Sequence, residues 1–311
     1  MLGHIPACSK TKEYTMRFYA ASLLLLAAAT LLGTATAQAK EPVQFQVGKI
    51  PVWTIADVTS DRDMGVFQAD PETLKQYAPS GKSPSGVMTF VVRAGNEVVL
   101  IDTGFGRDSG DTPSMLLPGL KAIGLSPEDI TLVLITHMHG DHIGGLLRKG
   151  EKTFPKARLL IGKKEYEFWL DEKSRAAFPG SKANFDLAKR VSDMYGKAVG
   201  LFAFGDSVAP GITALDSVGH TPGHTSFLIE SEGKKLLCVG DLLHAAALQF
   251  PRPDINARYD MNPDQARASR ERILKQAADE KLPLAGMHFP FPGVGRSVKA
   301  TEGFTYQPGL E

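Results

Sequence analysis

Cysteine is almost absent from these 311 residues: Cys8 and Cys238 stand alone, so no disulfide framework can hold the fold. Charge of one sign is absent as well. The 35 basic residues face 34 acidic ones with no block of either, which excludes a surface built to attract nucleic acid. A membrane-spanning helix needs roughly 20 apolar residues. The most apolar stretch, residues 20–32, falls short of that. No Pro- or Ser-rich linker and no short repeat divides the chain. What is there is ordinary globular composition, 43% hydrophobic and 22% charged, long enough to bury a substantial core.

The opening residues read as an address. Lys10, Lys12 and Arg17 precede the apolar stretch, and Ala35-Thr36-Ala37 and Ala37-Gln38-Ala39 after it both fit an A-x-A cleavage pattern. This order predicts a secretory signal peptide over residues 1–39, starting at Met1 or at Met16. Cleavage turns the formal charge from +1 to −1, because three basic residues leave with Glu13. It also removes Cys8, so the mature chain forms no internal disulfide even in an oxidising compartment. The expected product is a single periplasmic or secreted domain over residues 40–311, without a stable membrane anchor.

Short apolar runs recur along that domain. Residues 87–93 and 98–102 flank Ala94-Gly95-Asn96-Glu97 and read as a hairpin. Residues 131–136 (TLVLIT) read as a buried strand running into His137. Residues 158–161, 226–230, 235–239 and 284–287 read likewise, with a turn at Ser231-Glu232-Gly233. Helical patterns cover 118–123, 163–171, 184–197 and 263–280; Asn262 caps the last, and Ser126-Pro127-Glu128-Asp129 reads as a further helix start. The alternation predicts an α/β fold.

Three of the eight histidines fall within six residues, His137-Met138-His139-Gly140-Asp141-His142, directly after an apolar strand. Imidazoles two apart converge on one ion where the backbone turns, and imidazole and carboxylate are both zinc ligands. Further donors stand at strand ends: His224 within Gly219-His220-Thr221-Pro222-Gly223-His224-Thr225, Asp241 after Val239-Gly240, and His288 after Met287. Loops at strand ends are where a rigid scaffold presents binding residues. A solvated polar loop would not repeat the pattern four times.

In these residues the chain resembles the metallo-β-lactamase superfamily, from Leu100-Ile101-Asp102-Thr103-Gly104 to His288. The resemblance implies an αββα sandwich, two mixed sheets face to face with helices outside. It implies two divalent metal ions, usually Zn2+, with Mn, Co or Fe also acceptable to such donors. By family pattern one ion takes His137, His139 and His224, the other takes Asp141, His142 and His288, and Asp241 bridges them. An aspartate at the bridge points away from the true β-lactamases and toward the ester-cleaving branches. Only 23 residues follow His288, too few for the C-terminal thiol-ester region of glyoxalase II. Residues 208–212, 219–225, 239–242, 247–250 and 288–295, with Glu167-Phe168-Trp169-Leu170, are similar to the methyl parathion hydrolase and quorum-quenching lactonase group. The loop over residues 105–118 departs from it.

The activity implied is hydrolysis of a small uncharged ester-like substrate, a lactone or carboxylic ester or an organophosphate triester, by a hydroxide that bridges the metals. Asp241 would hold the cations together; Asp141 would bind one ion and steer the water or pass a proton to the leaving group. Trp169, Phe105 and Phe185 are expected in the pocket wall, with Phe168, Phe178 and Phe250 as further aromatic candidates and core packing the alternative. Asp102 and His220 are expected to hydrogen-bond to the ligands, as is His244, with a structural role equally open for the histidines. Cys238 reads as a small buried hydrophobe. The alternatives are a β-lactam or thioester hydrolase and, from another class, a non-catalytic periplasmic zinc-binding protein. Aromatic surface segments allow a homodimer.

Expressed from Met1 in a secreting bacterium, the protein should be recovered with an N-terminus at Lys40 by intact-mass measurement. A chain that keeps residues 1–39 and sediments with membranes overturns the leader assignment.

Overall fold

The structure, a computed structural model, describes residues 40–107 and 113–310. Residues 1–39, with the expected leader and Cys8, and the centre of the 105–118 loop lie outside the described residues. β1 (Val43–Val47), β2 (Ile50–Asp63), β3 (Lys82–Ala94), β4 (Glu97–Ile101) and β5 (Leu132–Ile135) come first. A small hairpin, β6 (Leu147–Arg148) and β7 (Glu151–Lys152), precedes β8 (Arg158–Gly162) and β9 (Val199–Phe202). The first sheet has the order β1-β2-β3-β4-β5-β8-β9, antiparallel as far as β4 and parallel beyond it. The second runs β10 (Ser207–Ala209), β11 (Ile212–Asp216), β12 (Thr225–Ser231), β13 (Lys234–Cys238), β14 (Leu284–Ala285), β15 (Val294–Lys299) and β16 (Phe304–Pro308). All its pairs are antiparallel except β13 with β14.

The period of two along each strand explains the layers. Phe90, Val92, Leu132 and Leu134 of the first sheet meet Phe227, Ile229, Leu236 and Cys238 of the second in one core. Their neighbours Val91, Val133 and Ile135 face the other way, into a second core under the helix Lys182–Tyr195. That helix buries Phe185, Ala188, Val191 and Tyr195 along one stripe. On the far side Leu237 and Val239 pack against Ile273, Leu274 and Ala277 of the helix Pro263–Glu280. The result is the αββα order expected from the resemblance. β5 carries no polar residue because it is parallel to both neighbours and covered on both faces. Cys238 lies in the inter-sheet core, where burial pushes its thiol well up.

The helix over 263–280 has the bounds expected of it, with the Asn262 side chain accepting from Gln265 N at 3.1 Å. Ser126 starts only a 3-10 turn, Pro127–Asp129. The first half of the hairpin over 87–102 belongs to a longer strand, β3, whose partner β2 was not foreseen. β2 ends in Ser60-Asp61-Arg62-Asp63 and carries the buried Asp57, so it lacks an apolar run. Among the described residues, no helix is long and apolar enough to cross a membrane.

Leu134→Ala, at a fully buried inter-sheet position three residues before His137, should cost about 2–5 kcal/mol of stability in chemical denaturation. A loss under 1 kcal/mol would mean that this layer is loosely packed.

Candidate metal centre

The chemistry-bearing loops all leave strands at one edge of the sandwich. β5 ends at Ile135 and delivers Thr136 and His137, after which the chain turns into the short helix Gly140–Ile143 with Asp141 and His142. The link between β11 and β12 carries His220 and His224, and Thr225 N donates to Thr136 O at 3.0 Å, joining the loops of the two sheets. After β13, Gly240 adopts φ +54°, and a Cβ there would stand 2.6 Å from His224 Nε2. Only glycine lets the backbone pass this close and aim Asp241 at the histidines. β14 leads to His288.

Hydrogen bonds on the outer nitrogens set the tautomers. His142 Nδ1–H donates to Asp102 Oδ2 at 2.7 Å, and His220 Nδ1–H to Asp260 Oδ1 at 2.9 Å. His288 Nδ1–H donates to the Gly86 carbonyl at 2.6 Å. The Thr136 hydroxyl gives its proton to Asp102 Oδ2 at 2.7 Å and so accepts from His137 Nδ1–H at 3.1 Å. Each of these rings is left with an Nε2 lone pair facing inward. His137 Nε2 and His220 Nε2 each stand 3.0 Å from His139 Nδ1. Lone pairs that close repel unless a cation lies between them.

A second group comprises Asp141, His142, Asp241 and His288, with ligand atoms within 4.8 Å of one another, as are those of His137, His139 and His220. Asp241 stands between the two groups. Its Oδ2 is 3.1 Å from His288 Nε2 and 3.4 Å from His220 Nε2, and its Oδ1 is 3.1 Å from His142 Nε2. Both His142 Nε2 and Asp241 Oδ1 are buried without a hydrogen-bond partner. Buried polar atoms are rarely left so. Orphaned lone pairs, neutral imidazoles and carboxylates are the donor set of a divalent metal site.

Protonation follows the same logic. Burial pushes His139 down to about 3, and His137 falls well below its usual range, so both stay neutral. Burial alone would raise the Asp241 carboxyl, but His142 and His288 outweigh it and hold it well below the ordinary range. His142 shows the converse. Burial lowers it, while Asp241, Asp141 and Asp102 hold its proton far more strongly. The carboxylates that hold that proton would equally hold a cation, so protons and metal compete for one place.

Two expectations need correction. His224 does not join the first cluster: its Nε2 accepts from Asp241 N at 2.9 Å, and its Nδ1 meets Ser217 Oγ at 2.8 Å and Ser217 O at 3.0 Å. Both nitrogens are spent on the loops, and His220, expected as a supporting residue, stands with His137 and His139 instead. Trp169 and Phe185 do not line the open site. Trp169 Nε1 donates to Glu165 at 2.6 Å, and its ring braces His139 edge-on at 5.4 Å with Phe185 behind it at 4.6 Å. The cavity, about 660 Å³, is walled by Phe105, Phe178, Tyr259 and Met261. Asp141 and His244 also face it.

Glu165 was missed altogether. Its buried carboxylate accepts from Met138 N, Trp169 Nε1, Thr221 Oγ1 and Gly223 N at 2.6–3.0 Å, tying the two histidine loops together. Asp102 takes a positive φ of 56° to reach Thr136 and His142, backbone strain of the kind found at functional sites. Asp260 is held in turn by the buried Arg270 at 3.2 Å.

A family profile described as the metallo-beta-lactamase superfamily matches residues 83–288. The chain belongs to that superfamily. It is 31% identical to the N-acyl homoserine lactonase AttM of Azorhizobium caulinodans over 118 residues, 35% of this chain and 40% of that enzyme, well under two thirds of its length. Metallo-beta-lactamase domain-containing protein 1 of Rattus norvegicus is 29% identical over 74% of this chain and 76% of its own. Among solved structures, hydrolase AbOPH in the beta lactamase superfamily superposes with a TM-score of 0.80 at 28% identity, covering 88% of this chain and 98% of its own. AidC, a dizinc quorum-quenching lactonase in complex with a product, superposes at 0.78 and 26% identity, covering 86% and 97%.

The two histidines of the 219–225 loop should behave differently. His220→Ala should lose about one metal equivalent by elemental analysis. His224→Ala should keep both ions and lose about 1–3 kcal/mol of stability from the unpaired Asp241 N–H. The reverse pattern would restore the original ligand assignment.

Proposed function

We propose that this chain is a dinuclear metal-dependent hydrolase of small ester-like substrates, with a lactone or another carboxylic ester as the substrate class. One observation carries the reading: a single carboxylate, Asp241, stands between two imidazole groups at the wall of an open cavity. In this reading His137, His139 and His220 hold one ion, Asp141, His142 and His288 hold the other, and Asp241 serves both. Zinc is the expected metal. When bound, such ions act as Lewis acids and lower the pKa of a coordinated water toward neutrality.

The rest falls to the protein. Asp102 and Asp260 orient His142 and His220 and keep their inner lone pairs free. Of the two ligand-group carboxylates at the cavity wall, Asp141 is the open one, its side chain 23% exposed against 4% for Asp241. It orients the attacking water and carries a proton to the leaving oxygen. Phe105, Phe178, Tyr259 and Met261 take the apolar part of the substrate and thin the water around the reacting carbonyl. An open, solvent-connected centre speaks against a storage protein, since structural zinc sites are closed by their ligands. The relatives named as N-acyl homoserine lactonases support a carboxylic ester over a phosphotriester. Export through the 1–39 leader, as one domain over 40–311, completes the proposal.

The test is kcat/KM of the metal-loaded protein on a long-chain acyl lactone beside a methyl phosphotriester with a nitrophenol leaving group. The lactone should win by about a hundredfold or more. A faster triester overturns the substrate class. No turnover of either, with two ions bound, overturns the hydrolase reading.

A further inference from the structure

Two arginines share the wall of the same cavity, Arg62 and Arg258. One junction presents both. Beyond Arg62 the chain forms the turn Met64–Val66, and there Arg258 N donates to Val66 O at 2.8 Å, Gln68 N donates to Asn256 O at 2.9 Å, and Phe67 bridges Ala257. The backbone around both side chains is therefore fixed on one support.

Neither guanidinium forms an ion pair among the described residues. Arg62 Nη1 donates to the Tyr259 hydroxyl at 2.6 Å. Arg62 Nη2 points at His288 Nδ1 at 3.0 Å, but that nitrogen already gives its proton to the Gly86 carbonyl and has no lone pair to offer. Arg62 Nε is buried with no hydrogen-bond partner, and the guanidinium lies 5.9 Å over the Tyr259 ring. Arg258 is exposed at the cavity wall, and among the described residues no side-chain acceptor meets it. The cavity-lining carboxylates Asp141, Asp241 and Asp260 are engaged by histidines. For Arg62, a half-buried guanidinium with an unpaired N–H and no counter-charge among the described residues is a costly arrangement without a ligand to complete it, and Arg258 stands exposed at the same wall as a second cation. A planar fork of donors matches a carboxylate.

We infer that the cavity carries an anion subsite, and that the preferred substrates are esters bearing a carboxylate of their own, held by Arg258 and Arg62 while the scissile carbonyl lies toward Asp241. This rests on the hydrolase reading and narrows it. The resemblance implied an uncharged substrate, but the charge that matters is local to the cavity wall.

The test compares mono(4-nitrophenyl) glutarate with its neutral methyl ester on the purified holoenzyme, alongside Arg258→Gln, Arg258→Lys and Arg62→Gln. Wild type should favour the anionic ester about tenfold or more in kcat/KM, through KM. That ratio should collapse toward one in Arg258→Gln and recover in part in Arg258→Lys, which keeps the charge and loses the fork. A ratio near one in wild type, or one that neither Arg258→Gln nor Arg62→Gln moves, overturns the subsite. Calorimetric binding of glutarate to the same proteins separates the two readings. If neither ester turns over, the hydrolase reading has failed, and glutarate affinity then decides the subsite alone: weaker in Arg258→Gln upholds it, unchanged overturns it.

Discussion

The structure turns on imidazole lone pairs that point at one another and at one carboxylate. His137, His139 and His220 face inward at 3.0 Å, and His142 and His288 flank Asp241 at 3.1 Å. Such a cluster is self-repelling when neutral and forces unwanted protonation when left to water. Cations relieve both strains at once, so the centre is organised around charges that the polypeptide does not itself supply.

Much of the surrounding architecture serves to keep those lone pairs aimed. The inner nitrogens of His142, His220, His137 and His288 are free because the outer ones are occupied, by Asp102, Asp260, Thr136 and the Gly86 carbonyl respectively. Glu165 holds two histidine loops at a fixed spacing, although burial pushes its carboxyl upward. Arg270 extends the support to the outer helix by gathering Asp260 and the carbonyls of Leu242, Pro253 and Ile255. The sandwich contributes rigidity, since strands from both sheets end at the same edge and are joined there by Thr225 and Thr136.

The cavity adds a second layer of meaning. Its apolar wall of Phe105, Phe178 and Met261 is of the kind that accepts a substrate body, while Arg62 and Arg258 set a charge preference at one side. Reactive centre and selective wall are built on different segments. The ligands can therefore stay constant while the wall changes, as expected where one scaffold serves several ester chemistries.

Residue pattern alone went far where the chemistry is local. H-x-H-x-D-H is compact in sequence, strands such as 131–136 are apolar on both faces, and the helix over 263–280 carries its own cap. Those features determined the fold class and most of the candidate centre. Other assignments depend on distance in space. His220 and His224 stand in equivalent sequence surroundings, four residues apart, and only the positions of Asp260, Ser217 and the Asp241 amide decide which one turns its lone pair inward. Trp169 and Phe185 carry the same apolar signal in a core as in a pocket, and the packing of the helix behind His139 decided between them. Glu165 and the two arginines gave no local signal, because a charged residue is ordinary until the fold buries it or withholds its counter-charge. Tertiary structure decided these matters, since hydrogen-bond direction, burial and charge balance exist only between residues that the chain keeps far apart.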